Sequence, residues 1–374
     1  MAAASAPRRT ARASAALPWE DAWQEALYGP NGFYRVGGGP AAHFTTSAHG
    51  PAGAVFAQAL LALADGAGLR TIVDFAAGRG ELSTRLAEAA ATGGSVGTGG
   101  TAGSAGSGRL GGAASRAGGP ARPEGAVRRV IAVDVVPRPS GLDGSVEWMS
   151  GPGGPSVPDL RPLGPALVVA NEWLDVVPCP VVAVDARGET RLVLIDRAGG
   201  ESLGDPPDDH DAAWLAKWWP DPGRTPERGG HRAEVGRSRD AAYAALVAAA
   251  APGSLVVAID YGHTRATRPL GGSLVGYRGG AQVAPVPDGT CDLTAHVAMD
   301  SLGADRLLTQ RDALRELGLD GERPSYDLSR TDPMAYLEAL SRASAASALT
   351  RPGLGDFWWA ITSVTAPQRL ASLS

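Results

Sequence analysis

Acidic and amide side chains follow four apolar runs of this sequence, each at the point where a strand would end. These residues are Asp74, Asp134, Asn171-Glu172 and Asp260. The carboxyl ends of parallel strands lie at one edge of a sheet, where the ligands of such sheets bind. Carboxylate oxygens at that edge can accept hydrogen bonds from hydroxyl or amino groups. The sequence therefore predicts one ligand site formed by several strand ends.

The segment around the first of these residues has the pattern of a strand, a glycine loop and a helix. Residues Thr71–Val73 are β-branched throughout, as expected of a central strand that is covered on both faces. Gly78 and Gly80 allow a sharp turn and a close approach of the backbone to a ligand. Leu82 and Leu86 then follow at helical spacing. Such a unit presents backbone N–H groups and a helix N-terminus at the edge of the sheet.

Two phosphate-binding motifs are missing from this loop, and their absence narrows the choice of ligand. A dinucleotide fingerprint has a third glycine where this chain has Ser83, and no Gly-Lys-Ser/Thr phosphate loop is present. The acidic-x-Ala-x-Gly-x-Gly pattern, from Asp74 through Ala76 to Gly80, is similar to the acidic-x-Gly-x-Gly-x-Gly loop of methyltransferases that use S-adenosylmethionine (SAM). A tight turn whose glycines serve packing, and an NAD-dependent enzyme, are the alternatives.

Acids beyond the loop could bind a ribose and a cation. Asp134 ends the second predicted strand, where an acid in nucleoside-binding sheets accepts hydrogen bonds from both ribose hydroxyls. A solvated turn is the alternative for this residue. Glu172 and Asp175 are three residues apart, so one helical turn would place them side by side to grip a guanidinium. Acids that stabilise a helix N-terminus are the alternative for this pair.

Composition and charge exclude several classes of function. The 374 residues include 34 basic and 39 acidic side chains, whereas a general nucleic-acid binder would be basic. Cys179 and Cys291 are too few for a disulfide framework or a zinc cluster, and no His-Glu-x-x-His motif is present. We therefore expect no metal site. The few cysteines fit a reduced setting, so we expect a cytoplasmic protein. No apolar run is long enough to span a membrane, so we expect no membrane insertion.

Apolar periodicity predicts an α/β fold, in which strands alternate with helices around a doubly wound, mostly parallel sheet. The expected segments are a disordered tail at 1–16, an N-terminal helical segment at 17–68, a core at 69–374, a flexible Gly/Ala/Ser insertion at 92–125 and an inserted subdomain at 179–236. Within this subdomain we expect a β-hairpin formed by Val181–Asp185 and Thr190–Asp196. Towards the C-terminus the pattern predicts a helix over Ala304–Leu317.

Several short motifs, taken in their order along the chain, resemble one family. They are Ala26-Leu-Tyr-Gly-Pro-Asn-Gly-Phe-Tyr34, Phe44-Thr-Thr-Ser47, the glycine loop, Ala170-Asn-Glu-Trp-Leu-Asp-Val-Val-Pro178, Ile259-Asp-Tyr-Gly262, Gly276-Tyr-Arg278, Asp292-Leu-Thr-Ala-His-Val297 and Thr309-Gln310. The chain resembles the MidA-like class I SAM-dependent methyltransferases, a bacterial and mitochondrial group linked to complex I assembly. These motifs cover nearly the whole chain outside the tail and the insertion.

The resemblance implies a Rossmann-like core, SAM as the methyl donor and a protein substrate. Mitochondrial members of the family methylate arginine on a complex I subunit. Carried onto this chain, Asp74, Gly78 and Gly80 would line SAM, Asp134 its ribose, and Asn171 and Glu172 the methyl-transfer pocket. We expect Ala76 and Asn171 among the cofactor-binding residues as well, and we expect Glu172, Asn171 and Asp175 as the catalytic residues. Glu172, together with Asp175, would orient the nucleophile and help to deprotonate it.

The chain departs from the family pattern at several positions. The family usually has glycine at the place of Ala76, Gly-Asp-Phe at the place of Ala42-His43-Phe44, and aspartate at the place of Ala298. Ala76 adds one methyl group to a loop that still admits SAM. The N-terminal changes remove acids that could contact a cationic substrate. A catalytically silent assembly factor, which binds SAM or a partner protein on the same fold, is therefore the alternative.

Overall fold

Seven strands form one sheet at the centre of the fold in the computed structural model, which describes residues 16–36, 50–92, 128–219 and 231–366. In chain order these strands are β1 (Thr71–Phe75), β2 (Arg129–Asp134), β3 (Val146–Ser150), β4 (Ala166–Asn171), β5 (Leu255–Asp260), β6 (Arg306–Thr309) and β7 (Trp358–Ser363). Across the sheet the order is β6-β7-β5-β4-β1-β2-β3. The five strands from β5 to β3 pair in parallel, and β7 runs antiparallel to β5 and β6. The predicted mostly parallel α/β sheet is confirmed.

Helices cover both faces of this sheet. The described helices are α1 (Trp19–Tyr28), α2 (Phe33–Val36), α3 (Gly50–Gly66), α4 (Glu81–Ala91), α5 (Asp209–Trp218), α6 (Arg237–Ala249), α7 (Gln310–Glu316), α8 (Tyr326–Thr331) and α9 (Pro333–Thr350). Residues of α3, α4, α7 and α9 pack on one face, and residues of α6 pack on the other. Successive residues of β1 alternate between these layers, since Ile72 packs with the first and Val73 with the second.

The order of the strands creates a crevice beside β1. The chain passes from β1 to β2 on one side, whereas β4 lies on the opposite side of β1. At such a switch point the connections leave in opposite directions and open a crevice at the carboxyl ends of the strands. The last residues of these three strands are Phe75, Asp134 and Asn171. The predicted polar strand ends Asp134 and Asn171 therefore meet at one edge, whereas the first strand continues past Asp74 to Phe75.

A second, antiparallel sheet surrounds the predicted β-hairpin, which is confirmed at Val181–Val184 and Thr190–Ile195. Three short strands extend it: Leu17–Pro18, Glu201–Leu203 and Arg232–Glu234. Helix α1 packs beside it through Trp19 and Trp23, which are fully buried. The remaining described strands form a three-stranded sheet and a parallel pair: Val275–Arg278, Ala281–Val283 and Asp292–Thr294, and then Gly262–His263 with Val297–Ala298.

The predicted helix at Ala304–Leu317 is wrong in its first part, where the chain forms strand β6. Leu307 and Leu308 pack in opposite layers of the core, as successive strand residues do. Helix α7 begins only after Thr309, whose side chain accepts a hydrogen bond from the Asp312 N–H and caps the helix. The pairing of β6 with β7 overrides the helical pattern of the preceding residues.

Several predicted features lie outside the described residues. They are the tail at 1–16 apart from residue 16, and the flexible insertion at 92–125 apart from Thr92. The family motif at Phe44–Ser47 and the departures at Ala42-His43 lie outside them as well.

Candidate functional site

The glycine loop after β1 contains three residues with a left-handed backbone. The φ angle is 59° at Ala76, 59° at Gly78 and 82° at Gly80. Glycine adopts this conformation without steric strain, whereas for a residue with a side chain the conformation costs about 1–2 kcal/mol. The loop therefore contains a strained residue at Ala76, and backbone strain of this kind is common at binding sites.

Asp134, at the end of β2, fixes this loop. Its Oδ2 accepts a hydrogen bond from the Gly78 N–H at 2.7 Å, and its Oδ1 accepts one from the Val136 N–H at 3.1 Å. Burial raises the pKa of the Asp134 carboxyl above its usual value, while these N–H groups lower it. Each carboxylate oxygen has a second lone pair, so Asp134 can also accept hydrogen bonds from a ligand.

A cavity of about 400 Å³ lies at the carboxyl ends of β1, β2 and β4. Its lining comes from the loop, from the ends of β2, β3 and β4, and from the N-terminal helices. The residues include Ala76, Gly78 and Arg79, residues 134–137, residues 151–154, Glu172 and Trp173, and Tyr28, Tyr34 and Arg35. Cavities that bind small molecules measure roughly 300–1,000 Å³, so this one is large enough for a cofactor. Of the residues predicted from the sequence, it brings together Ala76, Gly78, Asp134 and Glu172.

Asp74 lies behind the loop and is not among the residues that line the cavity. Its side chain is buried, and its Oδ2 accepts a hydrogen bond from Ser83 Oγ at 2.5 Å. Burial raises the pKa of Asp74 to about 7. Gly80 also lies outside the lining, in a neighbouring depression. These two predicted cofactor residues therefore support the loop and do not face the cavity.

Glu172 faces the cavity from a strained position directly after β4. Its φ angle is 54°, which is rare for a residue with a long side chain. Asn171 Nδ2 donates a hydrogen bond to Glu172 Oε1 at 3.0 Å. The Asn171 Oδ1 atom is buried and has no hydrogen-bond partner within the described residues. Asn171 therefore orients Glu172 from beside the cavity.

The predicted helical turn that would place Glu172 and Asp175 side by side is not formed. Glu172 has a left-handed backbone, and a short 3₁₀ helix begins only at Leu174. Asp175 is buried, and its Oδ2 accepts hydrogen bonds from Thr294 Oγ1, at 2.5 Å, and from the Tyr261 hydroxyl. Because Asp175 does not line the cavity, a paired grip of two carboxylates on one cation is not available there.

Asp260, at the end of β5, holds the turn that follows Glu172. Its Oδ2 accepts the Leu174 N–H at 2.9 Å and the Trp173 N–H at 3.3 Å. Burial, followed by the neighbouring Asp175 charge, raises the pKa of this carboxyl well above its usual value. The fourth predicted strand end thus supports the cavity wall from behind.

Sequence reasoning missed the contribution of the N-terminal helices to the cavity. The Tyr34 hydroxyl donates a hydrogen bond to Asp292 Oδ1 at 2.7 Å, and Arg35 Nε donates one to the Tyr28 carbonyl at 2.8 Å. All three N-terminal residues line the cavity. The family motif at 26–34 contains Tyr28 and Tyr34 and could have indicated these two, although its residue types alone do not imply a particular reaction.

Two negative findings apply to the part of the chain that the structure describes. No group of three or more His, Cys, Asp or Glu side chains there could hold a metal ion. No helix in the same ranges combines the length and apolar character needed to cross a membrane.

Two crystal structures of Burkholderia thailandensis proteins resemble this fold. One is described as a superfamily member and likely methyl transferase bound to S-adenosyl-homocysteine. It is 22% identical to this chain, with a TM-score of 0.61 over 94% of this chain and 89% of its own. The other, a native structure of an uncharacterized protein of the same superfamily, is also 22% identical, with a TM-score of 0.62 over 94% of this chain and 88% of its own. No curated protein matches the chain. At this identity, the two structures show a shared fold.

A family profile matches the central part of the chain. The profile is Methyltransf_28, described as a putative S-adenosyl-L-methionine-dependent methyltransferase, and it matches residues 124–315. This range contains Asp134, Glu172 and Asp260 and begins after the glycine loop. Because the match spans more than half of the 374 residues, the chain belongs to this family of SAM-dependent methyltransferases, and SAM is its cofactor.

Proposed function

We propose that this chain transfers the methyl group of SAM to a nitrogen atom of a protein substrate, with arginine as the acceptor that the family resemblance indicates. The observation that carries the proposal is the cavity, where the glycine loop, Asp134 and Glu172 meet at the carboxyl ends of parallel strands. The proposal includes a Rossmann-like methyltransferase core, a cytoplasmic location and no nucleic-acid partner.

The lining of the cavity fits a nucleoside that carries an amino-acid tail. Asp134 offers carboxylate oxygens for ribose hydroxyls. A Cβ atom on Gly78 would meet only Glu81 Oε2, at 3.8 Å, so the backbone here is open to a ligand. Bound SAM would supply an electrophilic methyl group. In this proposal Ala76, Gly78 and Asp134 contact the cofactor. The other predicted cofactor residues, Asp74, Gly80 and Asn171, support these contacts from outside the lining.

Glu172 is the proposed catalytic residue, because its carboxylate is the one after β4 that lines the cavity. A carboxylate there can accept hydrogen bonds from an amine or guanidinium, orient its nitrogen and take up its proton. Asn171 holds the carboxylate by the hydrogen bond to Oε1. Asp175 acts in this proposal as a buried side chain behind Glu172 and does not contact the acceptor.

Titration of the purified protein with SAM, S-adenosylhomocysteine and NAD tests the cofactor site. We expect micromolar binding of SAM and of S-adenosylhomocysteine, measured by calorimetry, and no binding of NAD. Binding of NAD alone would contradict the assignment of the cavity.

Replacement of Glu172 by glutamine tests the catalytic role. Glu172→Gln keeps the size of the side chain but cannot take up a proton, so we expect methyl transfer to slow by about 10²–10⁴-fold. The affinity for SAM should stay unchanged. Transfer of a labelled methyl group to arginine-containing protein is the measurement, and Glu147→Gln, on the exposed part of β3, is the control. Undiminished methyl transfer by Glu172→Gln would contradict the proposed catalytic role of Glu172.

A catalytically silent assembly factor is the second candidate, and the departure at Ala298 is the observation that raises it. Ala298 is buried in the parallel pair with His263 and does not line the cavity. This change therefore leaves the lining intact, which favours the enzyme. Binding of SAM without methyl transfer to any protein of a cell extract would instead favour the assembly factor.

A further inference from the structure

The backbone at Glu172 needs support from its surroundings, because its left-handed φ of 54° is unfavourable for this residue type. The Glu172 N–H donates to the Ile259 carbonyl at 2.8 Å and continues the ladder between β4 and β5. The next two N–H groups leave this ladder. Those of Trp173 and Leu174 donate to Asp260 Oδ2, at 3.3 and 2.9 Å. A side chain of β5 thus continues the support that its backbone begins.

We propose that Asp260 is a positioning residue for Glu172. One oxygen of its carboxyl group accepts both N–H groups and so fixes the left-handed turn that directs the Glu172 side chain into the cavity. The inference rests on the proposed function of Glu172. Asp260 itself is 0% exposed and does not line the cavity, so it acts through the turn and not through contact with cofactor or acceptor.

The surroundings of Asp260 include two backbone donors that its carboxyl group satisfies. A buried carboxyl group without hydrogen bonds is unfavourable, and the two backbone N–H groups are the donors that reach its Oδ2. Its Oδ1 is buried and accepts no hydrogen bond from a described N–H or O–H donor, while the carboxyl group also shares a side-chain hydrogen bond with Asp175. Burial and the nearby Asp175 raise its pKa, and a protonated carboxyl still accepts both bonds through its carbonyl oxygen. An amide can therefore replace it.

The chain after the turn is also held by contacts that do not involve Asp260. Arg239 is buried and donates to the backbone carbonyls of Asp175, at 2.9 Å, and Val177, at 3.1 Å. The side chain of Asp175 is bonded to Thr294 in addition. Loss of Asp260 should therefore loosen the two residues after Glu172 and leave the following 3₁₀ helix in place.

Two substitutions of similar size separate hydrogen-bond acceptance from packing. Asp260→Asn keeps an oxygen acceptor, and Asp260→Leu has none. We expect the amide hydrogens of Trp173 and Leu174 to stay protected from exchange in Asp260→Asn and to exchange at least tenfold faster in Asp260→Leu. In methyl-transfer assays, we expect Asp260→Leu to lower kcat at least tenfold and to change the KM for SAM by less than threefold.

Asp240→Leu is the control, because Asp240 is a half-buried carboxylate that also accepts two side-chain hydrogen bonds. They come from Trp214 Nε1, at 2.7 Å, and Ser301 Oγ, at 2.5 Å. We expect this variant to lose stability without a selective change in exchange at Trp173 and Leu174. A selective loss there in the control would overturn the assignment to Asp260.

The remaining outcomes also decide the proposal. The proposal is overturned if Asp260→Leu keeps full protection of both amides and full kcat. It is also overturned if Asp260→Asn shows the defects that we expect of Asp260→Leu. If Asp260→Leu does not fold, Asp260→Asn decides alone: retained protection at both amides supports the proposal, and lost protection overturns it. If the unsubstituted chain binds SAM but transfers no methyl group, the proposed function fails, while the exchange rates still decide whether Asp260 fixes the turn.

Discussion

Asp134 and Asp74 lie on neighbouring strands, and their environments give them different tasks. Asp134 lines the cavity and accepts hydrogen bonds from two backbone N–H groups. Asp74 is buried behind the loop, where it accepts a hydrogen bond from Ser83. Substitution of Asp134 should therefore change the affinity for the ligand. Substitution of Asp74 should change how the stability of the protein depends on pH.

Asp134→Ala should weaken the binding of SAM by about 10–100-fold. The variant loses the carboxylate that the ribose hydroxyls would meet, and hydrogen bonds to charged groups contribute about 1.5–3 kcal/mol. It also releases the Gly78 N–H and so loosens the loop. Calorimetric titration with SAM is the measurement, and Asp159→Ala, at an exposed position, is the control. Equal affinities of Asp134→Ala and the unsubstituted chain would refute the ribose contact.

Asp74→Asn should change how stability depends on pH. Burial raises the pKa of Asp74 from 3.8 to about 7, so between these values the folded state keeps a proton that the unfolded state releases. The stability that this carboxyl contributes is therefore full below about pH 4 and is lost as the pH rises to about 7. The asparagine does not titrate and still accepts a hydrogen bond from Ser83.

Relative to the unsubstituted chain, Asp74→Asn should consequently gain stability between pH 4 and pH 7, on the order of 1–4 kcal/mol. Urea unfolding at pH 4, 5.5 and 7 measures this difference. Asp143→Asn, at an exposed position, should give a difference that is nearly constant with pH over the same range. A constant difference for Asp74→Asn as well would show that burial does not shift its titration.

Among the elements, the parallel pair after β5 depends on a glycine. A Cβ atom on Gly262 would lie 2.4 Å from the Val297 carbonyl oxygen and 2.7 Å from Met299 Cγ. The carbonyl belongs to the paired backbone and cannot move without breaking the pair. Gly262→Ala should therefore lower the free energy of unfolding by about 1–3 kcal/mol.

Gly66, the last residue of α3, provides the contrast for this prediction. A Cβ atom there would meet nothing within 4 Å, so Gly66→Ala should be neutral or stabilising by up to about 1 kcal/mol. Urea unfolding of both variants gives the comparison. A similar loss of stability in both would mean that the contact with Val297 is not the cause.

The same elements show what local sequence can predict. Strands β1, β2, β4 and β5 were found because β-branched apolar runs have few alternatives to a buried parallel strand. Strand β6 was missed because its four residues lie between a turn and a helix, and only pairing with β7 distinguishes them from the helix. Short strands of this kind are defined by tertiary contacts that a local pattern does not contain.

For the whole molecule, the sequence predicted the edge of the sheet where the cavity lies but not its complete wall. Asp134 and Glu172 could be predicted because strand ends converge at a switch point. Arg35 could not, because it reaches the cavity through the docking of α2, which lies more than a hundred residues before Glu172 in the chain. Asp175 was misplaced because one left-handed residue, Glu172, redirects the chain.

The position of β7 inside the sheet has a consequence for synthesis on the ribosome. Strand β7 is the last strand of the described residues, yet it lies between β5 and β6. Until it emerges, β5 presents an open hydrogen-bonding edge, and β6 lacks its sheet partner. Open edges recruit other chains. At about 5–20 residues per second, the stretch from Asp260 to Ser363 takes roughly 5–20 s to synthesise, and during that interval the nascent chain is most exposed to aggregation.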